Sequence, residues 1–190
     1  MVISPRLEAR REELVDAALA VIRRDGADAS MEAIAAEAGV TKPILYRHLG
    51  DRNGLCQAIA DRVFGQILEG TVKAFKRNPP GPGLVGAAMD VYLAFLEKDT
   101  NVYRFLRKSD LDNTGAYNVG RDFAGALTRS LSVYGFDPEA AQTWGHGMVG
   151  MVEAAGQWWL EERPISRRKL VEHLSTLLWD GFERIGSRNA

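Results

Sequence analysis

Apolar residues recur at three- and four-residue steps through most of this chain, and that period limits the possible folds more than any other feature. The first stripe runs from Leu14 through Ala17, Ala18, Val21 and Ile22, with Arg10, Arg11, Glu13, Arg23 and Arg24 outside it. The spacing predicts an amphipathic first helix ending near Gly26. Ser30, suited to an N-cap, opens a second short helix that stops at Gly39, because glycine best takes the left-handed conformation just past a helix end. Thr41 caps a third helix with Pro43 in its first turn, where a missing N–H costs little. Gly50 and Asp51 end that helix and begin a longer fourth, running through Leu55, Ile59, Val63, Ile67 and Phe75 to about Lys76.

The stretch Asn78-Pro79-Pro80-Gly81-Pro82-Gly83 breaks the pattern, since adjacent prolines and glycines do not suit a helix interior. Helical patterns resume at Leu84 to Lys98, Asn101 to Lys108, Tyr117 to Tyr134, Pro138 to Glu161 and Ser166 to Ile185. No segment is suited to building a sheet, so the chain is expected to be all-α, with about nine helices. A domain boundary is placed after residue 53, giving a three-helix N-terminal module (1–53) and a larger helical module (54–190).

Composition narrows the class. With 190 residues and 46 % hydrophobic content, the chain can bury a real core. It contains no run of 18 or more apolar residues, Met1 to Arg11 lacks the pattern of a secretory signal, and Cys56 is the single cysteine. These features point to a soluble cytoplasmic protein with no membrane partner. The net charge of −1 gives no general support for binding a polyanion. Local charge gives some: Arg6, Arg10 and Arg11 crowd the N-terminus against Glu8, and Lys42, Arg47 and Arg52 lie close together beside only Asp51.

Two short helices joined by Ala38-Gly39-Val40 have the proportions of a helix-turn-helix, whose second helix enters the major groove of DNA. At about 100° per residue, Leu45 and Leu49 would face a small core with Ile34 and Val40. Pro43, Ile44 and Arg47 then face away, with Lys42, Tyr46 and His48 on the flanks. Lys42 and Arg47 suit phosphate or guanine acceptors, Tyr46 and His48 can hydrogen-bond, and Pro43 and Ile44 can touch thymine methyls. Thr41 joins this set as the residue that opens the helix. By periodicity alone, an ordinary helical hairpin with a basic exposed face would read the same way.

The residues themselves resemble a known family. The string from Ser30 to Leu55, with its Ile34-Ala35 pair, Ala38-Gly39-Val40-Thr41 turn, Leu45-Tyr46-Arg47-His48 core and Asp51-Arg52 helix start, is similar to the N-terminal signature of tetracycline-repressor (TetR) family regulators. Residues 10 to 60 carry the match. The resemblance implies an N-terminal helix-turn-helix DNA-binding domain followed by a helical ligand-binding and dimerisation domain. It also implies that Lys42, Pro43, Ile44, Tyr46 and His48 sit where the family contacts its operator, and that Ser30 and Arg52 sit where it commonly meets phosphate. Both of these lie at a helix N-terminus, whose exposed N–H groups favour an anion. The sequence departs from the pattern at Met31, where threonine is common, and at Glu32, an acid where a basic or neutral residue can contact DNA.

The second module shows the family's plan without a motif of its own. Ala141, Trp144, Met148, Met151, Val152, Ala155 and Trp159 form one stripe, and Leu170, Leu174, Leu177, Leu178, Phe182 and Ile185 form another. Gly145, Gly147, Gly150 and Gly156 leave room for close helix contact. Two such helices from each of two copies would make a four-helix, two-fold interface, hence a homodimer suited to a palindromic operator in double-stranded DNA. Completion of the monomer's own core explains the same stripes. Tyr92, Phe95, Tyr103, Phe105 and Phe123 are candidate walls of a small-molecule site, as are Trp144, Met148 and Trp158. Aromatic residues at helical spacing also serve as plain core. Glu153, on a polar line with His146, Gly150 and Gln157, could orient a ligand's hydroxyl or amine.

Other chemistries find little footing. His48, His146 and His173 are too scattered for a zinc site, no phosphate loop or nucleophile elbow is present, and Cys56 fits an inert buried thiol. No cofactor and no enzymatic activity are expected. The resulting expectation is a sequence-specific DNA-binding transcriptional regulator, a repressor released when a small apolar or aromatic effector changes the separation of its two reading heads. The alternatives are a helical small-molecule-binding protein or enzyme that never meets DNA, and a ligand-independent regulator or activator.

Overall fold

The computed structural model describes residues 5–78, 82–108, 124–125, 127–129, 132 and 137–186. The helices are α1 (Pro5–Asp25), α2 (Met31–Glu37), α3 (Lys42–Leu49), α4 (Arg52–Arg77), α5 (Pro82–Lys98), α6 (Thr100–Lys108), α7 (Pro138–Glu162) and α8 (Arg167–Gly186), with a 3₁₀ turn at Gly26–Asp28. Residues 124–125 and 127–129 are also helical; most of the helix expected from Tyr117 to Tyr134 lies outside the described residues. Among the described residues there is no strand, in agreement with the all-α expectation. None of their helices is long and apolar enough to cross a membrane.

The helices form two compact units. The first holds α1, α2, α3, α4 as far as Phe64, and α6; the second holds the rest of α4, α5, α7 and α8. The boundary drawn from sequence after residue 53 falls in the first turn of α4, a helix that continues unbroken to Arg77.

In the first unit α1 is the central post, packed against α2, α3 and α6. Its stripe residues Leu14, Ala18, Val21 and Ile22 are fully buried, as are Ile34 of α2, Leu45 of α3, Leu55 and Ile59 of α4, and Phe105 of α6. Polar contacts fix the place of α6. The guanidinium Nε of Arg23, at the end of α1, donates to Oδ1 of the nearly buried Asp99 at 2.6 Å, and Asn101 Nδ2 donates to the Arg23 carbonyl at 2.9 Å.

The link from α2 to α3 depends on Gly39, whose φ of +62° lies in the left-handed region. Its N–H donates to the Ala36 carbonyl and that of Val40 to the Ala35 carbonyl, satisfying acceptors that the end of α2 leaves without intrahelical partners. The α3–α4 link is tighter still. Asp51 Oδ1 accepts from the Gly54 N–H at 3.0 Å, and a Cβ on Gly54 would lie 2.1 Å from the Leu49 carbonyl oxygen.

In the second unit α5 packs on both α7 and α8. A Cβ on Gly156 would meet Leu96 Cδ1 at 2.8 Å, so this glycine lets α7 lie close to α5. The α7–α8 turn is closed by Trp159 Nε1 donating to the Ile165 carbonyl at 2.7 Å, with the Arg163 guanidinium 4.1 Å above the Trp159 ring. Arg163 reaches Glu97, and Arg167 reaches Asp90 and Glu97, so the hairpin is also tied to α5 by charge.

Two alanine substitutions test this account of the turns. Gly54→Ala should lower stability by about 1–3 kcal/mol, because the backbone oxygen it meets cannot swing aside. Gly65→Ala, at an exposed position of α4 with nothing within 4 Å of its Cβ, should gain about 0.4–1 kcal/mol. Denaturant melts of both variants measure the difference in sign.

Candidate nucleic-acid interface

Burial of Leu45 and Leu49, one turn apart, sets the rotation of α3. Pro43, Tyr46 and Arg47 are exposed on its other side, with Lys42, Ile44 and His48 half-buried at the flanks, so Tyr46 and Ile44 exchange the places expected of them: the long Tyr46 side chain reaches solvent from the flank while the shorter Ile44 is partly covered. Tyr46 is 41 % exposed, unusual for a large aromatic side chain with so much apolar surface to cover. Val40, expected in the core with Ile34, is half-buried. The result is a short helix with one apolar side anchored and one mixed cationic, aromatic and aliphatic side presented.

The helix starts behave differently. Ser30 caps α2, its Oγ accepting from the Ala33 N–H at 3.1 Å. Thr41 occupies the N-cap position of α3, but its side chain makes no capping hydrogen bond, correcting the expectation of a side-chain cap. Its backbone carbonyl accepts from both Ile44 and Leu45 N–H groups, so the first turn closes through the main chain.

Charge on this face is internally engaged. Lys42 Nζ donates to Glu32 Oε1, linking the first turns of α2 and α3. That hydrogen bond is the chief reason the Glu32 carboxyl is held below the usual carboxylate range and the Lys42 ammonium above its own. Glu37 accepts from Arg24 of α1 at 3.0 Å.

Arg52, expected at a phosphate, has work inside the first unit. Its Nη1 donates to the Ala29 carbonyl at 3.0 Å and its Nη2 to the Ala27 carbonyl at 3.3 Å, while the guanidinium lies 4.7 Å above the Phe105 ring. One side chain thereby joins the start of α4, the turn before α2, and α6.

The residues expected to wall a small-molecule site divide between the units. Phe105 is a fully buried core residue of the first unit, and Tyr103 lies on the same helix. In the second unit Tyr92 and Phe95 of α5 and Trp144 and Met148 of α7 are half-buried, whereas Glu153 and Trp158 are exposed. Phe123 lies outside the described residues. The polar line on α7 is exposed at His146, Gly150 and Glu153; His146 Nδ1 is 2.8 Å from the Gln142 carbonyl.

Sequence reasoning did not find the Lys42–Glu32 pair, the Arg23–Asp99 pair or the inward turn of Arg52. The residues of each are far apart in the chain, and only the odd acid at Glu32 was a visible signal.

An anchored short helix of this kind, following α2 across a left-handed glycine turn, has the form of a helix-turn-helix, the motif of one class of DNA-binding proteins. Comparison with known proteins gives the particular family. Residues 14–59 match the model for bacterial regulatory proteins of the tetR family, and residues 76–190 match that for the tetracyclin repressor-like C-terminal domain. An uncharacterized HTH-type transcriptional regulator of Mycobacterium tuberculosis is 32 % identical over 181 residues, covering 91 % of this chain and 77 % of the relative. A tetR-family regulator from Streptomyces coelicolor shares the fold, with TM-score 0.71 and 20 % identity over 92 % of this chain and 79 % of that one. So does the Bacillus subtilis regulator FadR, solved in complex with stearoyl-CoA, with TM-score 0.65 and 18 % identity over 90 % of this chain and 98 % of that one. The chain belongs to the TetR family of DNA-binding transcriptional regulators.

Removing the Arg52 fork separates its two assignments. Arg52→Ala should cost about 1.5–3 kcal/mol of stability, the range for hydrogen bonds to a charged group. Arg52→Lys should recover little, because an ammonium cannot span two carbonyls as a planar fork does. Unchanged thermal melting combined with loss of DNA affinity would return Arg52 to the phosphate backbone.

Proposed function

We propose that this regulator reads a palindromic operator as a two-fold homodimer through α3, and that an apolar effector with a long acyl or alkyl chain, bound in the second unit, releases it. The observation that carries the reading is the outward side of α3: Pro43, Tyr46 and Arg47 are held exposed by the burial of two leucines, with Lys42, Ile44 and His48 beside them. Cationic, hydrogen-bonding and aliphatic groups on one short helix meet phosphate oxygens, base edges and thymine methyls respectively. In this reading Ser30 and Thr41, at the openings of α2 and α3, join the contact set, the start of α3 offering its free N–H groups to backbone phosphate.

Two features support the dimer. Trp158 on α7 and Leu177 on α8 are 42 % and 63 % exposed, large apolar side chains of the kind a second copy would cover. The effector class is supported by the half-buried Tyr92, Phe95, Trp144 and Met148 in the second unit, and by the stearoyl-CoA held by the structurally similar FadR. The protein acts in the cytoplasm and works by binding, not by catalysis. Effector control requires that the ligand bind the DNA-competent and DNA-free conformations unequally.

A band-shift titration on the duplex upstream of the chain's own gene, at physiological salt, tests the reading. Stearoyl-CoA should release the complex and free coenzyme A should not. Tyr46→Ala should keep the melting temperature and lose about 1–3 kcal/mol of preference for the operator over random duplex. Absence of any sequence preference in the unmodified protein would sink the DNA reading, and release by neither ligand would sink the acyl-chain effector.

A further inference from the structure

The segment Ser30 to Leu49 carries two permanent cations, Lys42 and Arg47, and two carboxylates, Glu32 and Glu37. Attraction of a protein to duplex DNA comes largely from cations that displace condensed counterions. A balanced reading head therefore needs a physical reason. Glu37 is engaged by Arg24 of α1. Glu32 is placed differently: it holds the ammonium of Lys42, a residue on the presented side of α3 and ten positions further along the chain. Glu32 is exposed and Lys42 only partly covered, and ion pairs open to solvent add little to stability, so fold maintenance is a weak explanation for the pair.

We propose that Glu32 competes with DNA phosphate for Lys42, and so restrains sequence-independent attraction to duplex DNA and leaves binding dependent on the remaining contacts of α3. The proposal rests on the reading of α3 as the DNA-facing helix. A phosphate oxygen and a carboxylate oxygen offer an ammonium the same kind of charge-assisted bond. For Lys42 to bind a phosphate it must leave Glu32, and the carboxylate left behind repels the approaching backbone. Random duplex offers only the phosphate in exchange. An exposed carboxylate is charged at neutral pH in any case, and the contact with Lys42 favours that form further, so the competitor is in place. The acid that departs from the family pattern thus has a use at the position where it stands.

The test is fluorescence polarisation with a random-sequence duplex across a salt series, on the full chain. Glu32→Gln preserves size and removes the charge. It should bind random duplex more tightly than the unmodified protein, with a log–log salt slope steeper by about 0.9 per reading head. Its advantage should accordingly shrink about 3.5-fold per head between roughly 50 and 200 mM salt. Glu32→Asp should behave as the unmodified protein. In a Lys42→Ala background, Glu32→Gln should give a smaller gain, that of the carboxylate's own repulsion alone, and the difference is the signature of direct coupling. An unchanged slope, an equal gain without Lys42, or weaker binding by Glu32→Gln would each overturn the proposal; the last would make Glu32 itself a DNA contact. Folded variants that bind no duplex, together with a folded unmodified protein that binds none, would overturn the reading of α3 and this proposal with it. Binding by the unmodified protein with no Glu32 effect overturns the proposal alone.

Discussion

The burial of Leu45 and Leu49, on a short helix packed against α1 and α2, is the interaction on which the rest of the helix-turn-helix depends. An eight-residue helix has no stability of its own in water, because nucleation costs more than so few hydrogen bonds return. Packing therefore supplies both its existence and its orientation. Two leucines one turn apart fix a rotation about the helix axis, and every other side chain of α3 takes its direction from them. Removing a buried leucine of this kind costs about 2–5 kcal/mol, a large part of the stability of a small unit. The face proposed for recognition is thus a consequence of core packing: Tyr46 and Arg47 are exposed because Leu45 and Leu49 are held inward.

The first unit is completed by a segment from much later in the chain. α6 buries Val102, Phe105 and Leu106, and Asp99 just before it holds Arg23 at the end of α1. Arg52 fastens the same region from α4 through the Phe105 ring and two backbone carbonyls. A guanidinium is suited to this position because its planar fork can serve two acceptors while its face lies on an aromatic ring. The DNA-reading unit is therefore not a contiguous stretch, and its rigidity depends on residues that no local motif contains.

Much of this was legible in the sequence wherever the governing interaction is local or periodic. The apolar stripes gave the helices, Gly39 and Gly50 gave the turns, and the spacing of Leu45 and Leu49 gave the buried side of α3, while the places of Ile44 and Tyr46 on the other side were exchanged because angle alone ignores side-chain reach. Side-chain capping at Thr41 was misjudged because residue type reports suitability for a cap, while the backbone can close the same turn unaided. The assignments of Phe105 and Arg52 show another limit. Aromatic content does not distinguish a ligand wall from a core, and a helix-start arginine can turn inward as readily as outward. The position of α6, set by contacts more than seventy residues apart in sequence, puts Phe105 in a core and gives Arg52 an inward partner.

Net charge is a poor measure of a DNA-binding head for a related reason: many of its charges are spent on one another. Arg10 pairs with Glu13 along α1, Arg62 of α4 reaches Glu12 and Asp16, and Lys108 of α6 reaches Asp28. Each pair subtracts a cation from those available to phosphate without changing the total. Because electrostatic attraction is read through a screening length of about 8–10 Å, a duplex responds to the charges within its immediate reach. For a near-neutral chain this favours a division of labour. On the proposed reading of α3, internal pairing weakens long-range attraction, and discrimination falls to short-range contacts with complementary base edges. The balanced charge that first argued against nucleic acid is thereby compatible with selective binding, provided that the residues presented on α3 make contacts specific enough to offset the attraction that pairing removes.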